Sequence, residues 1–224
     1  MHLVRLFPLA LLGTLAACDA TQPTDAGHAG APPAPTTEAA SKGGPQTQTE
    51  AARMDDLNRF VPEGARIVDT VKGDLTGSGS DDTLLVVAPA ATGAATSGGE
   101  GPARSVILLT RDGSGALTRA AENARMVPCA TCGGAVGDPY AFSRIEAGTL
   151  TIAVSGGSRE RWFDNYIFRY APGQKDWLLE RVVRGASDTM TERQEQIELT
   201  GEELGQVTFA AFDPATLPRN ATLE

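Results

Sequence analysis

From residue 66 onward the apolar residues gather into short runs separated by glycine, proline and aspartate, and the runs are rich in Val, Ile, Leu and aromatic side chains. Runs of this length and composition, bounded by turn formers, read as strands. They predict strands over Arg66–Val71, Thr83–Ala88, Ser105–Thr110, Leu117–Arg119, Thr149–Ser155, Trp162–Tyr170, Trp177–Arg184, Gln194–Leu199 and Gln206–Phe212. Asp112-Gly113 and Pro172-Gly173 carry hairpin turn signals. Crossover helices are missing between the runs, so the fold class is mainly β, an antiparallel meander closed as a sandwich or a barrel. One helix is expected. Ala52, Met54, Leu57 and Phe60 stand at near-helical spacing within Glu50–Phe60, before Pro62 and Gly64, which predicts a short amphipathic helix capping a sheet. Pro89–Arg104 has no large apolar side chain and is expected to form a disordered hairpin tip. Tyr166, Phe168 and Tyr170 alternate onto one face of their strand, a pattern of core packing.

The start of the chain follows another pattern. Met1–Arg5 carries a positive charge and Leu6–Leu12 is an apolar run too short to span a bilayer, as in a secretory signal. Leu15-Ala16-Ala17-Cys18 then resembles the lipobox of bacterial lipoproteins. The resemblance implies a signal over residues 1–17, with Cys18 acylated and first in the mature chain. Two or more acyl chains hold a protein stably on a membrane. The expected location is the cell envelope, anchored to the inner or the outer membrane with the domain facing the periplasm. Asp19–Glu50 has no Leu, Ile, Val, Met or aromatic residue, so residues 18–50 are expected to form a disordered leash. A segment of that length reaches about 30 Å root-mean-square and about 100 Å pulled straight. Residues 51–224 are expected to form a single β-rich domain.

Charge and histidine narrow the chemistry. A net charge of −9 and a pI near 4.8 argue against nucleic acid, whose phosphates require a basic surface. The only histidines, His2 and His28, precede the domain, which excludes a Ser-His-Asp or Cys-His pair and an imidazole zinc site within it. Carboxylate catalysis of the glycosidase kind would draw on Asp138, Glu146, Glu160 or Asp164.

Three motifs carry the candidate sites. In Gly73–Asp82, Asp74, Gly79 and Asp82 match positions one, six and nine of an Asp-rich calcium loop; Thr76 and Ser78 replace the usual Asp or Asn, and Ser80 follows. Calcium affinity depends on charged oxygens, so the loop reads either as a weak calcium site or as a turn held by its own side-chain bonds. Apart from that weak calcium site no cofactor is expected. In Pro128–Tyr140, Cys129 and Cys132 are the thiols left once Cys18 is acylated, and an oxidising compartment favours their joining as a disulfide, set against a redox-active CxxC or half of a zinc site. In Ser155–Trp162, a Gly-Gly loop precedes Arg159, Arg161 and Trp162, a candidate ligand patch set against a reading of core and turn.

The order GDLxGxGxxD, CxxCGGxxGDPY and GGSxxRW resembles an uncharacterised group of secreted bacterial proteins and lipoproteins over roughly Val61–Arg184. The resemblance supports a secreted β-rich domain and implies no reaction. Together these features point to a membrane-anchored envelope lipoprotein whose non-catalytic domain binds a partner protein. The alternative is a domain that binds cell-wall glycan or acts on it weakly through carboxylates.

Overall fold

The computed structural model describes residues 56–90 and 101–218. The signal, Cys18, the leash and the first half of the expected helix lie outside the described residues, as do residues 91–100 of the expected hairpin tip. Nine strands follow one another: β1 (Arg66–Gly73), β2 (Asp82–Ala88), β3 (Arg104–Arg111), β4 (Leu117–Val127), β5 (Tyr140–Glu146), β6 (Thr149–Gly157), β7 (Glu160–Ala171), β8 (Asp176–Asp188) and β9 (Gln194–Thr200). They form two antiparallel meanders, β1-β2-β3-β4 and β5-β6-β7-β8-β9, in which every strand pairs with its neighbours in sequence. A one-turn helix, α1 (Gly201–Leu204), follows β9. Thr200 and Glu203 cap it reciprocally, and Glu203 accepts the Thr200 N–H at 2.7 Å.

Both sheets contribute to one core. Leu84, Val86, Val106 and Leu108 from the first sheet join Leu150, Ile152, Val154, Tyr166, Phe168, Trp177, Leu179 and Val182 from the second. Alternation decides which residues go there. On β7 the even positions Tyr166 and Phe168 are buried in that cluster, whereas Arg161, Phe163 and Asn165 are half-buried on the opposite face. β2 is buried along its whole length, because Leu85 and Val87 on its other face belong to a second cluster with Ile107, Leu109, Leu117 and Leu57, against which Phe60 packs. Residues 56–58 are helical, and Leu57 and Phe60 cover the outer face of the first sheet as the spacing predicts.

Three differences from the sequence reading concern strands. β5 was absent from the expected set, and β4 runs on to Val127. The expected strand at Gln206–Phe212 is instead irregular chain with a single bridge, Leu178 to Thr208. This segment lies beside the first residues of β8, with Leu179 N donating to Val207 O at 2.8 Å and Phe209 N to Trp177 O at 2.8 Å. It also reaches β4, where the buried Asn123 donates from Nδ2 to Phe209 O at 2.7 Å and to Phe212 O at 2.8 Å. Phe209 and Phe212 pack edge-on against Phe168, and Phe212 also meets Tyr166. The C-terminal segment therefore shuts the core between β4 and β8.

Candidate functional site

The Asp-rich loop is held from within. Asp74 accepts N–H groups from Thr76 at 3.2 Å, Ser78 at 2.9 Å and Gly79 at 2.7 Å, and Ser78 Oγ accepts from Ser80 N at 3.3 Å. These donors, Gly79 foremost, hold the Asp74 carboxyl below the usual carboxylate range. Asp82 is buried and accepts N–H groups from Leu75 at 3.1 Å and Arg111 at 2.9 Å. Both carboxylates thus accept backbone N–H groups. Among the described residues no group of three or more His, Cys, Asp or Glu side chains is placed to hold a metal ion. The loop anchors Leu75, which is fully buried and whose carbonyl accepts from Trp177 Nε1 at 2.9 Å.

The cysteine and arginine motifs meet in space. Cys129 and Cys132 form a disulfide. The Gly133 and Gly134 that follow lie against the β6–β7 turn: Gly157 N donates to Gly133 O at 2.9 Å, and a Cβ on Gly134 would stand 3.2 Å from Gly157 O. The short 3-10 turn Gly134–Val136 thereby brings Val136 beside the end of β7. Between them is a depression of about 320 Å³ lined by Val136, Ser155, Gly156, Arg161, Trp162, Phe163 and Ser187. Ser155 pairs with Phe163 and Ser187 with Arg161, so these four share the outer face of the second sheet. Two glycines fix the rings. A Cβ on Gly156 would lie 2.6 Å from Trp162 Cζ2, and one on Gly185 would lie 2.1 Å from Phe163 Cε1.

The two arginines of the predicted patch part company. Arg159 is tied to Asp188, donating from Nε at 3.0 Å and from Nη2 at 2.7 Å. The Arg161 side chain, half-buried in the lining, has no hydrogen bond or ion pair among the described residues. Asp188 also accepts from Met190 N at 2.7 Å and Thr191 N at 3.1 Å. Arg159 first, then these amides, bring its carboxyl down to about 2. A lowered folded pKa gives stability that is present above the unfolded value of about 3.9 and lost as pH falls through the folded one. Hydrogen-exchange protection at Met190 and Thr191 is therefore expected to be steady at neutral pH and to fall between about pH 4 and pH 2; protection unchanged across that window would separate the loop from Asp188 ionisation.

The carboxylates named as candidate acids do not converge here. Asp138 accepts from Arg104 Nη2 at 2.7 Å. Asp164 is buried, bound by Arg184 Nε at 2.7 Å and by the Tyr166 hydroxyl at 3.2 Å. Glu160 is exposed and outside the lining, and Glu146 is exposed beside Arg144 at 3.6 Å. Val136, Phe163, Ser155 and Ser187 were not among the predicted residues. The alternation of Arg161 and Phe163 opposite the buried aromatics was the available signal.

No protein-family model matches the chain, and neither does any curated protein or solved structure.

Proposed function

We propose that this chain is an envelope lipoprotein, held by an acylated Cys18, whose β-domain binds a partner protein through the outer face of its second sheet. The observation that carries the reading is the depression at the end of β7, where an arginine whose side chain has no partner among the described residues shares the lining with Phe163, Trp162 and Val136. Arginine and aromatic side chains in a partly desolvated hollow are the chemistry of protein-interface hot spots. Val136 is 42 % exposed, and Phe142, on the same outer face through its pairing with Ala153, is 43 % exposed. No carboxylate lines the depression, so it lends no support to an acid–base pair acting on glycans. The partner chemistry that fits is an apolar side chain next to a carboxylate or carbonyl acceptor for Arg161.

Site-specific photo-crosslinking in cells tests this. A crosslinker at Phe163 is expected to give one discrete protein adduct, and one at Lys175, in the exposed β7–β8 turn, to give none. Arg161→Glu should cut the adduct about tenfold or more while leaving the protein in the membrane fraction. Cys18→Ala should release the protein from that fraction. Equal adducts from Phe163 and Lys175, or an adduct indifferent to Arg161→Glu, would remove the site.

A further inference from the structure

Each sheet has two border strands, and among the described residues other parts of the chain make contacts with three of them, β1, β5 and β4. β1 lies against β5: Tyr140 donates its hydroxyl to Asp69 at 2.6 Å, Gly148 N donates to Asp74 O at 2.9 Å, and a Cβ on Gly73 would touch Ile145 at 2.9 Å. β4 is covered along its length. Arg59 Nη2 donates to Leu117 O at 3.1 Å, the Arg119 guanidinium donates to Phe60 O, Asn123 holds Phe209 O and Phe212 O, and Arg125 Nη2 donates to Ala210 O at 2.8 Å.

β9 is different. It pairs with β8 without a register shift from Arg181 opposite Thr200 to Ser187 opposite Gln194. On its other side, among the described residues, no hydrogen bond reaches the backbone of Gln194–Leu199. It contains no proline, and its burial alternates strictly. A regular border strand of this kind is a template for another strand.

The side chains define what the template accepts. Glu195 and Glu198 stand on opposite faces of β9, Glu198 beside the Arg181 guanidinium at 3.3 Å, with Glu192 and Arg193 just before the strand and Glu202 and Glu203 just after. Two copies of β9 paired antiparallel about Ile197 would set Glu195 opposite Leu199 and Glu198 opposite Gln196, with the two Glu198 carboxylates diagonal on one face, an unfavourable like-charge contact. The acidic border disfavours a second copy and favours a basic strand.

Beside the end of β9 lies a hollow of about 380 Å³ whose lining includes Leu179, Leu199, Leu204, Val207, Phe212 and Leu217, with Glu203 among its few polar groups. Strand addition obtains affinity from main-chain bonds and specificity from pockets that take alternate side chains.

We propose that the open border of β9 receives an extended, basic segment of a partner protein as a sixth strand, with one large apolar side chain of that segment seated in the hollow beside Leu199. The residues differ from those of the Arg161 depression, so either site can fail alone.

The test uses the full-length chain and a synthetic peptide alternating lysine and valine, with a leucine near one end. Expected are saturable binding that weakens with salt, protection gained at alternate amides of Gln194–Leu199, and affinity reduced tenfold or more by Glu195→Lys with Glu198→Lys. Leu204→Trp, which fills the hollow, should abolish the preference for the leucine peptide over an all-valine one. Because Glu195 and Glu198 are not core residues, their variant keeps the fold, and unchanged protection in β2 and β6 verifies it. Absence of β9 protection at about 1 mM peptide, equal binding of a peptide with glutamate in place of lysine, or a concentration-dependent dimer of the free chain that protects β9 would each overturn the proposal.

Discussion

Asp138→Ala is expected to destabilise the domain by about 3–5 kcal/mol, although Asp138 itself is half-exposed. The reason is its partner. The Arg104 side chain is only 2 % exposed, against 48 % for Asp138, and among the described residues its Nε and Nη1 atoms are buried with no hydrogen-bond partner. Among those residues Asp138 supplies the one hydrogen bond of the guanidinium, through Nη2. Burial opposes ionisation of Asp138, but the Arg104 hydrogen bond and the Tyr140 N–H outweigh it and hold the carboxyl below its usual range, with Arg66 adding a favourable field. Without that carboxylate the buried cation keeps its desolvation cost and loses its hydrogen-bonded counter-charge. The loss would be a large share of a typical stability of about 5–15 kcal/mol. Urea unfolding gives the value as a lower midpoint at unchanged slope. Arg104→Met combined with Asp138→Ala should recover most of it, since an apolar side chain of similar volume replaces a pair at little cost. A loss under about 1 kcal/mol for Asp138→Ala would class the pair with exposed salt bridges.

Phe212→Ala is expected to cost about 3–5 kcal/mol. Phe212 is 1 % exposed and lies edge-on to Tyr166 at 5.0 Å and to Phe168 at 5.5 Å between ring centroids. Such pairs add about 0.5–1.5 kcal/mol to the burial itself. The loss should also be local in its signature. The Phe212 carbonyl accepts from Asn123 at 2.8 Å, so removing the ring loosens the segment that shuts the core. The amides of Leu179 and Phe209, which bond between β8 and that segment, should exchange faster than those of β2. Phe142→Ala, at an exposed position, should change stability by no more than about 0.5 kcal/mol. Equal costs for the two substitutions would mean that the C-terminal segment is not part of the core.

Seven strands were legible because their apolar alternation or continuous apolar run matches what each face meets. β5 was not: as a border strand its residues Ala141, Phe142, Arg144 and Glu146 are exposed, so no apolar period marks it. The second half of β4 was missed because Ala120, Ala121, Glu122, Ala124, Arg125 and Met126 read as helix formers, yet pairing with β3, through two register shifts, holds them extended. Gln206–Phe212 was misread as a strand because Val207, Phe209 and Phe212 form an apolar series; those side chains plug a gap and do not line a sheet. The candidate patch was legible in place but not in detail. Arg159 and Arg161 look equivalent in sequence, and Asp188, twenty-nine positions from Arg159, separates them.

Because every strand pairs with the one made just before or after it, each sheet assembles from successive hairpins, which are quick to close. The slow steps are the few closures between distant residues: Trp177 to Leu75 and Asn123 to Phe209 and Phe212, |i−j| of 102, 86 and 89. The last of these wait for the C-terminal segment. A chain emerging from its amino end thus forms both sheets before it can seal the space between them, and the unsealed state exposes Tyr166, Phe168 and Trp177. In a crowded compartment that interval is where aggregation competes with folding.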